Sequence, residues 1–126
     1  MHRSRLAGLI IDCNTDDLDA AARFWGQALG APPGRSANLA KDPYVDLKSP
    51  DGEVYLSVQA VDHENRVHID IESDDVEAEV SRLEKLGATR IADIKDWVVM
   101  LSPTGQKFCV VPVVRGGFDE NANRWG

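Results

Sequence analysis

Ile10-Ile11-Asp12-Cys13-Asn14-Thr15-Asp16-Asp17-Leu18 is answered later in the chain by His68-Ile69-Asp70-Ile71-Glu72-Ser73-Asp74-Asp75-Val76. In both stretches an apolar/acidic strand runs into an Asp-Asp helix start. The match recurs further on. Ser49-Pro50-Asp51-Gly52 before Glu53-Val54-Tyr55-Leu56-Ser57-Val58 parallels Ser102-Pro103-Thr104-Gly105 before Gln106-Lys107-Phe108-Cys109-Val110-Val111. A unit this short cannot bury its own apolar face, so two copies are expected to pack into one pseudo-symmetric domain with a cleft between the halves.

Leu9, Ile11 and Cys13 alternate with Ile10, Asp12 and Asn14, which predicts a strand over Leu6–Cys13. Thr15 or Asp16 is positioned to cap the helix that follows, and acidic groups suit the positive end of its dipole. Leu18, Ala22, Trp25 and Leu29 form one apolar stripe, and Val76, Val80, Leu83 and Leu86 repeat it in the second copy. Gly30 and Gly87 end the two helices, each free to take a left-handed conformation.

Three extended segments follow each helix. In the first copy Ala31–Ala40 is poorly patterned, and Tyr44–Lys48 and Glu53–Val61 flank the Ser-Pro-Asp-Gly turn. In the second, Ala88–Ile94, Trp97–Leu101 and Gln106–Val113 are the counterparts, the last two flanking Ser-Pro-Thr-Gly. The expected organisation is a single α+β domain. It comprises a first βαβββ module over about residues 5–61, a linker over 62–66, a second module over about 67–114 and a C-terminal tail over 115–126. The tail lacks strong periodicity and reads as mobile unless Phe118 and Trp125 dock it.

A chain of 126 residues with 43% apolar content suits one domain with a real core. No apolar run is long enough to cross a bilayer, and Met1-His2-Arg3-Ser4-Arg5 leads into no secretory segment, so a cytoplasmic setting and no membrane partner are expected. The net charge of −7 argues against nucleic acid, whose binding draws on Lys and Arg, and favours cationic or neutral small ligands. Cys13 and Cys109 carry no CxxC or dense framework, so no disulfide is expected.

Asp17-Leu18 to Phe24-Trp25, Asn65-Arg66-Val67-His68-Ile69-Asp70-Ile71, Asp74-Asp75-Val76 to Leu86-Gly87-Ala88, and Trp97-Val98-Val99 to Val111 carry a resemblance over almost the whole chain. In this order and duplication they resemble the vicinal oxygen chelate superfamily, within it the glyoxalase-like domain proteins of the glyoxalase, bleomycin-resistance and dioxygenase group. The resemblance implies two tandem βαβββ modules whose sheets curl around an open, cup-shaped cleft. In the superfamily's metalloenzymes, the first and last strand of each module supply one ligand each to a divalent metal. Those places fall on Ile10, Leu56, His68 and Cys109, and only His68 is a ligand of the family type. Two aliphatic side chains offer a metal no lone pair, so the standard site and its cofactor are not expected. A divalent metal is the alternative, and would need Asp70, Glu72 or Asp12 to join His68 and Cys109.

His68, Asp70 and Glu72 share one face of a strand, opposite Val67, Ile69 and Ile71, which are expected to pack under the helices. Either that polar face meets a ligand, with His68 or Asp70 as a general acid or base, or it is a solvated face with a satisfied histidine. Asp12 matches Asp70 in the repeat. The two either bias the cup towards cations or bond to neighbouring backbone. Cys109 shares a face with Lys107 and Val111 and reads either as a thiolate nucleophile or as a small buried hydrophobe. Trp97 is either an aromatic wall for a ligand or a packing residue, whereas Trp25 and Cys13 read as core. Asp62-His63-Glu64 reads as a solvated linker.

The expected ligand-facing set is therefore Ile10, Asp12, Leu56, His68, Asp70, Glu72, Trp97, Lys107 and Cys109. Two functions follow. One is small-molecule binding without the complete metal site, in the manner of the drug-sequestering bleomycin-resistance proteins. The other is a metal-assisted lyase, isomerase or dioxygenase. A homodimer is expected in either case.

Overall fold

The computed structural model of the chain describes residues 1–34, 43–50 and 53–126. It groups into two compact units: Gly8–Val67, and Met1–Ala7 together with His68–Gly126. The first strand, β1 (His2–Cys13), contributes to both. It begins well before the expected Leu6, because its opening residues find pairing partners that a local pattern does not reveal.

In the Gly8–Val67 unit, α1 (Leu18–Leu29) is followed by β2 (Tyr44–Leu47) and β3 (Tyr55–Ala60). β3 lies between β1 and β2, parallel to the first and antiparallel to the second. In the poorly patterned stretch, Pro33 makes a single bridge to Leu47, and the rest of it, like the Asp51-Gly52 tip of the first turn, lies outside the described residues. Asp17, rather than Thr15 or Asp16, caps α1, its side chain accepting from Ala20 N. Thr15 Oγ1 is already engaged, accepting from Asp17 N at 3.0 Å. Gly30 closes the helix at φ 67°, in the left-handed region where the absence of a Cβ matters.

Leu18, Ala22, Ala31, Val45, Leu47 and Val58 form this unit's core, with Ile11, Cys13, Trp25 and Leu56 packed against it. Burying each of the larger side chains contributes about 1.5–3 kcal/mol. The expected stripe breaks at its end, since Leu29 is 50% exposed and Gly26 is buried in the last turn instead. Gly8 is fixed by its neighbour across the ladder. A Cβ there would sit 2.2 Å from the Tyr55 ring, which lies over the bare backbone.

The other unit holds the complete strand-helix-strand-strand-strand order. It comprises β4 (Arg66–Ser73) from His68 onward, α2 (Val76–Lys85), β5 (Thr89–Ile94), β6 (Trp97–Leu101) and β7 (Lys107–Pro112). The strands run β4-β7-β6-β5, with β4 and β7 parallel and the rest antiparallel. The Ser102–Gly105 turn forms as expected, Gly105 N donating to Ser102 O at 3.0 Å and Ser102 N to Gln106 O at 2.8 Å. Asp75 caps α2 as Asp17 caps α1, accepting from Ala78 N. Leu86 closes the helix in right-handed geometry, and Gly87 takes the positive φ of 109° one residue later.

Val80, Leu83, Val98, Met100 and Val110 form the second core, with Ile71, Val76 and Phe108 beside it. Leu86, the last of the expected stripe, is 66% exposed, while Glu79 is fully buried. Of the three apolar residues expected to pack under a helix, only Ile71 joins this core. Val67 and Ile69 are 59% and 46% exposed, because α2 lies against β5, β6 and β7.

Of the two readings of the tail, the docked one is what the structure shows. Residues Phe118–Asn121 form a short helix, α3, and Asn123–Trp125 form β8, which pairs antiparallel with His2–Ser4 of β1. Phe118 and Trp125 are the docking groups. Phe118 is buried beneath the Arg3 and Arg5 guanidinium groups, and Trp125 Nε1 donates to Ser4 Oγ at 2.8 Å with Arg82 lying 3.8 Å over its ring. Among the described residues, no helix is long and apolar enough to cross a membrane.

Candidate functional site

Strand alternation places His68, Asp70 and Glu72 on one face of β4, and Ile71 on the face that α2 covers. The neighbouring strand continues the polar face, because Asp70 pairs directly with Cys109 of β7 and Glu72 with Val111. Phe108 and Val110 take the helix side, which sends Cys109 the other way with Lys107. One ring nitrogen of His68, one Asp70 oxygen and the Cys109 Sγ all lie within 4.8 Å of one another. His68 Nε2 stands 3.5 Å from Asp70 Oδ1, and these side chains are only 13% and 11% exposed. Three chemically distinct donors, imidazole, carboxylate and thiol, thus converge on one sheltered spot of the sheet.

Glu72, two residues further along the same face, does something different. It is fully buried and accepts from Arg5 Nε at 2.6 Å, Val114 N at 2.8 Å and Arg115 N at 3.2 Å. Arg5 in turn donates to the carbonyls of Arg115, Gly116 and Gly117. This pair therefore fastens the start of the tail, and its carboxylate is committed to protein partners instead of a ligand. Lys107 is exposed at the turn end of β7 opposite Leu101, and Trp97 is half-buried at the start of β6.

In the Gly8–Val67 unit, Ile10 is buried and pairs with Ser57, whose hydroxyl donates to Asp46 Oδ1 at 2.6 Å. Leu56, expected to share the ligand side with Ile10, instead packs on the α1 side with Ile11 and Val58. The sequence match sets Leu56 against Cys109, but β3 pairs in a register of opposite parity, and a shift of one residue turns every side chain to the other face. Asp12 is buried and receives Arg66 Nε at 3.3 Å, an ion pair. His63 Nδ1 of the linker donates to Glu64 O at 2.8 Å, and His63 Nε2 lies 3.1 Å from Arg66 Nη2, as befits a surface turn.

Sequence reasoning missed Arg5, Arg66, Ser57 and Glu79. Glu79 was legible, standing three residues after Val76 and four before Leu83 on the apolar stripe. There it meets His2 at 2.8 Å and Arg82 through both oxygens at 2.8 Å. Burial pushes its carboxyl up, but hydrogen bonds from Arg82, His2 and Ser4 outweigh this and hold it below the usual range. Cys13 is the opposite case. Burial beside the Asp12 charge raises its thiol, as suits a core residue. Both cysteines are free thiols.

Ile10 and Leu56, two of the four places that the resemblance gives to a metal, have no lone pair to offer, and Leu56 faces α1. His68, Asp70 and Cys109 are the group that could hold an ion, within a single unit.

Comparison with known proteins bears on the fold. The chain aligns with methylmalonyl-CoA epimerase from Streptomyces coelicolor at 18% identity and a TM-score of 0.59, covering 89% of this chain and 97% of that one. A hypothetical protein from Bacillus halodurans aligns at 13% identity and 0.63, covering 90% and 97%. A Mn(II)-bound glyoxalase from Novosphingobium aromaticivorans aligns at 19% and 0.60, covering 93% of this chain but 44% of that larger protein. No curated protein sequence matches the chain. The family model described as a glyoxalase-like domain matches residues 8–111, which spans both copies of the repeat, and the chain belongs to this family of the vicinal oxygen chelate superfamily.

Proposed function

We propose that the chain binds a small organic ligand over the β4–β7 face, without the family's complete metal site and with His68 and Asp70 as its polar contacts. The observation that carries this reading is the sheltered convergence of His68, Asp70 and Cys109 on the sheet face turned away from α2. A pocket needs few polar groups in a mainly apolar setting, and Trp97, Val99 and Val111 on the same side supply the apolar part. The net charge of −7 favours a cationic ligand, which fits sequestration of a basic drug in the manner of bleomycin-resistance proteins, and disfavours nucleic acid. A two-fold homodimer and a cytoplasmic setting belong to the same reading, and light scattering reads the first.

A second reading is supported by the His68–Asp70 pair. An imidazole beside a carboxylate is suited to moving a proton next to a carbonyl, the kind of step a lyase or isomerase of this superfamily would need. Methylmalonyl-CoA epimerase, a neighbour by fold, gives the probe: a branched acyl-CoA thioester.

Thermal melts of chelator-treated protein separate the two. Binding predicts that a basic glycopeptide raises Tm without added metal, by an amount corresponding to about 2.7 kcal/mol at a hundredfold excess over Kd, and that His68→Ala removes the rise. A rise with the thioester alone, accompanied by exchange of its α-proton in deuterium oxide, supports the enzyme. No shift with either probe in the chelator-treated protein and none after divalent ions are restored, or shifts unchanged in His68→Ala, overturns both assignments of this face.

A further inference from the structure

We infer that the ligand of this face is an amphipathic amine that lies across the sheet in one direction. Its ammonium head is held at Asp70, and its apolar chain crosses β7 and β6 to leave over the β5 edge, where Ile94 sets how much of the chain is held. The inference rests on the ligand-binding reading above and adds the class of molecule and its orientation.

Three features support it. First, the pairing registers set Asp70, Cys109, Val99 and Ala92 in one row across β4, β7, β6 and β5, and Trp97 pairs with Ile94 beside it. Directly paired residues share a face, so a carboxylate stands at one end of a row that is otherwise small and apolar. Three strand spacings separate the ends of the row, a path of about 14 Å.

Second, an irregularity in β5 makes the far end apolar. The register slips between Arg90 and Ala92, with Ile91 as the extra residue. Arg90 and Asp93 therefore both turn to the α2 side, where Arg90 bridges Glu77 and Asp93. Ala92 and Ile94 both turn to the opposite face, beside Val99 and Trp97. A regular ladder would set Asp93 opposite Trp97 and put a second carboxylate at this end.

Third, shelter falls along the path. Asp70 is 7% exposed, Cys109, Val99 and Ala92 are half-buried, and Ile94 is 40% exposed. Among the described residues β5 is the last strand in the order, so the face opens on that side. An ammonium suits the closed end, where a carboxylate meets it away from water, and a chain of variable length suits the open one.

Chelator-treated protein is titrated calorimetrically with straight-chain primary alkylammonium ions from butyl to dodecyl. Kd should fall about fourfold per methylene while the chain lies over the face, and level off once it passes Ile94. Asp70→Asn should weaken every member about tenfold and leave that slope unchanged. Ile94→Ser should leave the butyl member unchanged and weaken only the longer ones, with circular dichroism confirming that both variants are folded. A slope that ignores Ile94→Ser, or binding as tight to Asp70→Asn as to the unaltered protein, overturns the assignment. If no amine binds while the glycopeptide or thioester shift persists, this inference alone falls. If neither class binds, the ligand-binding reading falls with it.

Discussion

Asp12 and Asp70 hold matching places in the two copies of the repeat, yet the structure uses them differently. Asp12 is buried against the Arg66 guanidinium, whereas Asp70 stands beside the His68 ring and the Cys109 thiol. The contrast extends through both units. Gly8–Val67 is held mainly by apolar packing and a tight steric fit of Tyr55 over Gly8. The unit built on β4 carries buried ionic networks, Arg5–Glu72 and His2–Glu79–Arg82, beside its apolar core. The helix starts of the two copies are thus alike while side chains facing away from the helices differ. The histidine, carboxylate and thiol that lie together belong to the unit built on β4.

The largest effect is expected where charge is buried. Glu72→Ala leaves Arg5 buried without its carboxylate and releases the amides of Val114 and Arg115, so chemical denaturation should show a loss of about 3–5 kcal/mol. The β8 strand should also lose amide-exchange protection. A loss below about 1 kcal/mol would mean that the tail is fastened elsewhere and that the ionic character of this unit is incidental.

A smaller loss tests the steric half of the contrast. Gly8→Val drives a side chain into the Tyr55 ring and should cost about 1–3 kcal/mol, partly recovered by adding Tyr55→Ala, which makes room. Equal instability of the single and double variants would show that the close approach of Tyr55 is not what requires glycine at this place.

The smallest effect tests what the two units share. Asp17→Ala and Asp75→Ala each remove one side-chain bond to the amide three residues on, and each should cost about 1 kcal/mol, agreeing within a few tenths. A clear inequality would mean that the caps, too, have diverged.

The sequence alone carried the α+β class, the duplicated strand-helix order, the acidic helix starts, the Ser102–Gly105 turn and the glyoxalase resemblance. These are local signals. An N-cap, a left-handed glycine or a period of two is set by bonds within about four residues and can be read in order along the chain. The candidate site was legible in part, since His68, Asp70 and Cys109 were each singled out, two of them by alternation on β4 and the third by its place in the repeat. The resemblance set His68 and Cys109 at one place, with Asp70, Glu72 and Asp12 as carboxylates that could join them, and the choice of Asp70 follows from the β4–β7 register, which joins residues far apart in sequence. The side of Leu56, the commitment of Glu72 to Arg5 and the anchoring of the tail by β8 were likewise decided only in three dimensions. A one-residue change of register turns a side chain to the opposite face, and a buried charge goes where its counter-charge is, so neither outcome is fixed by neighbours along the chain.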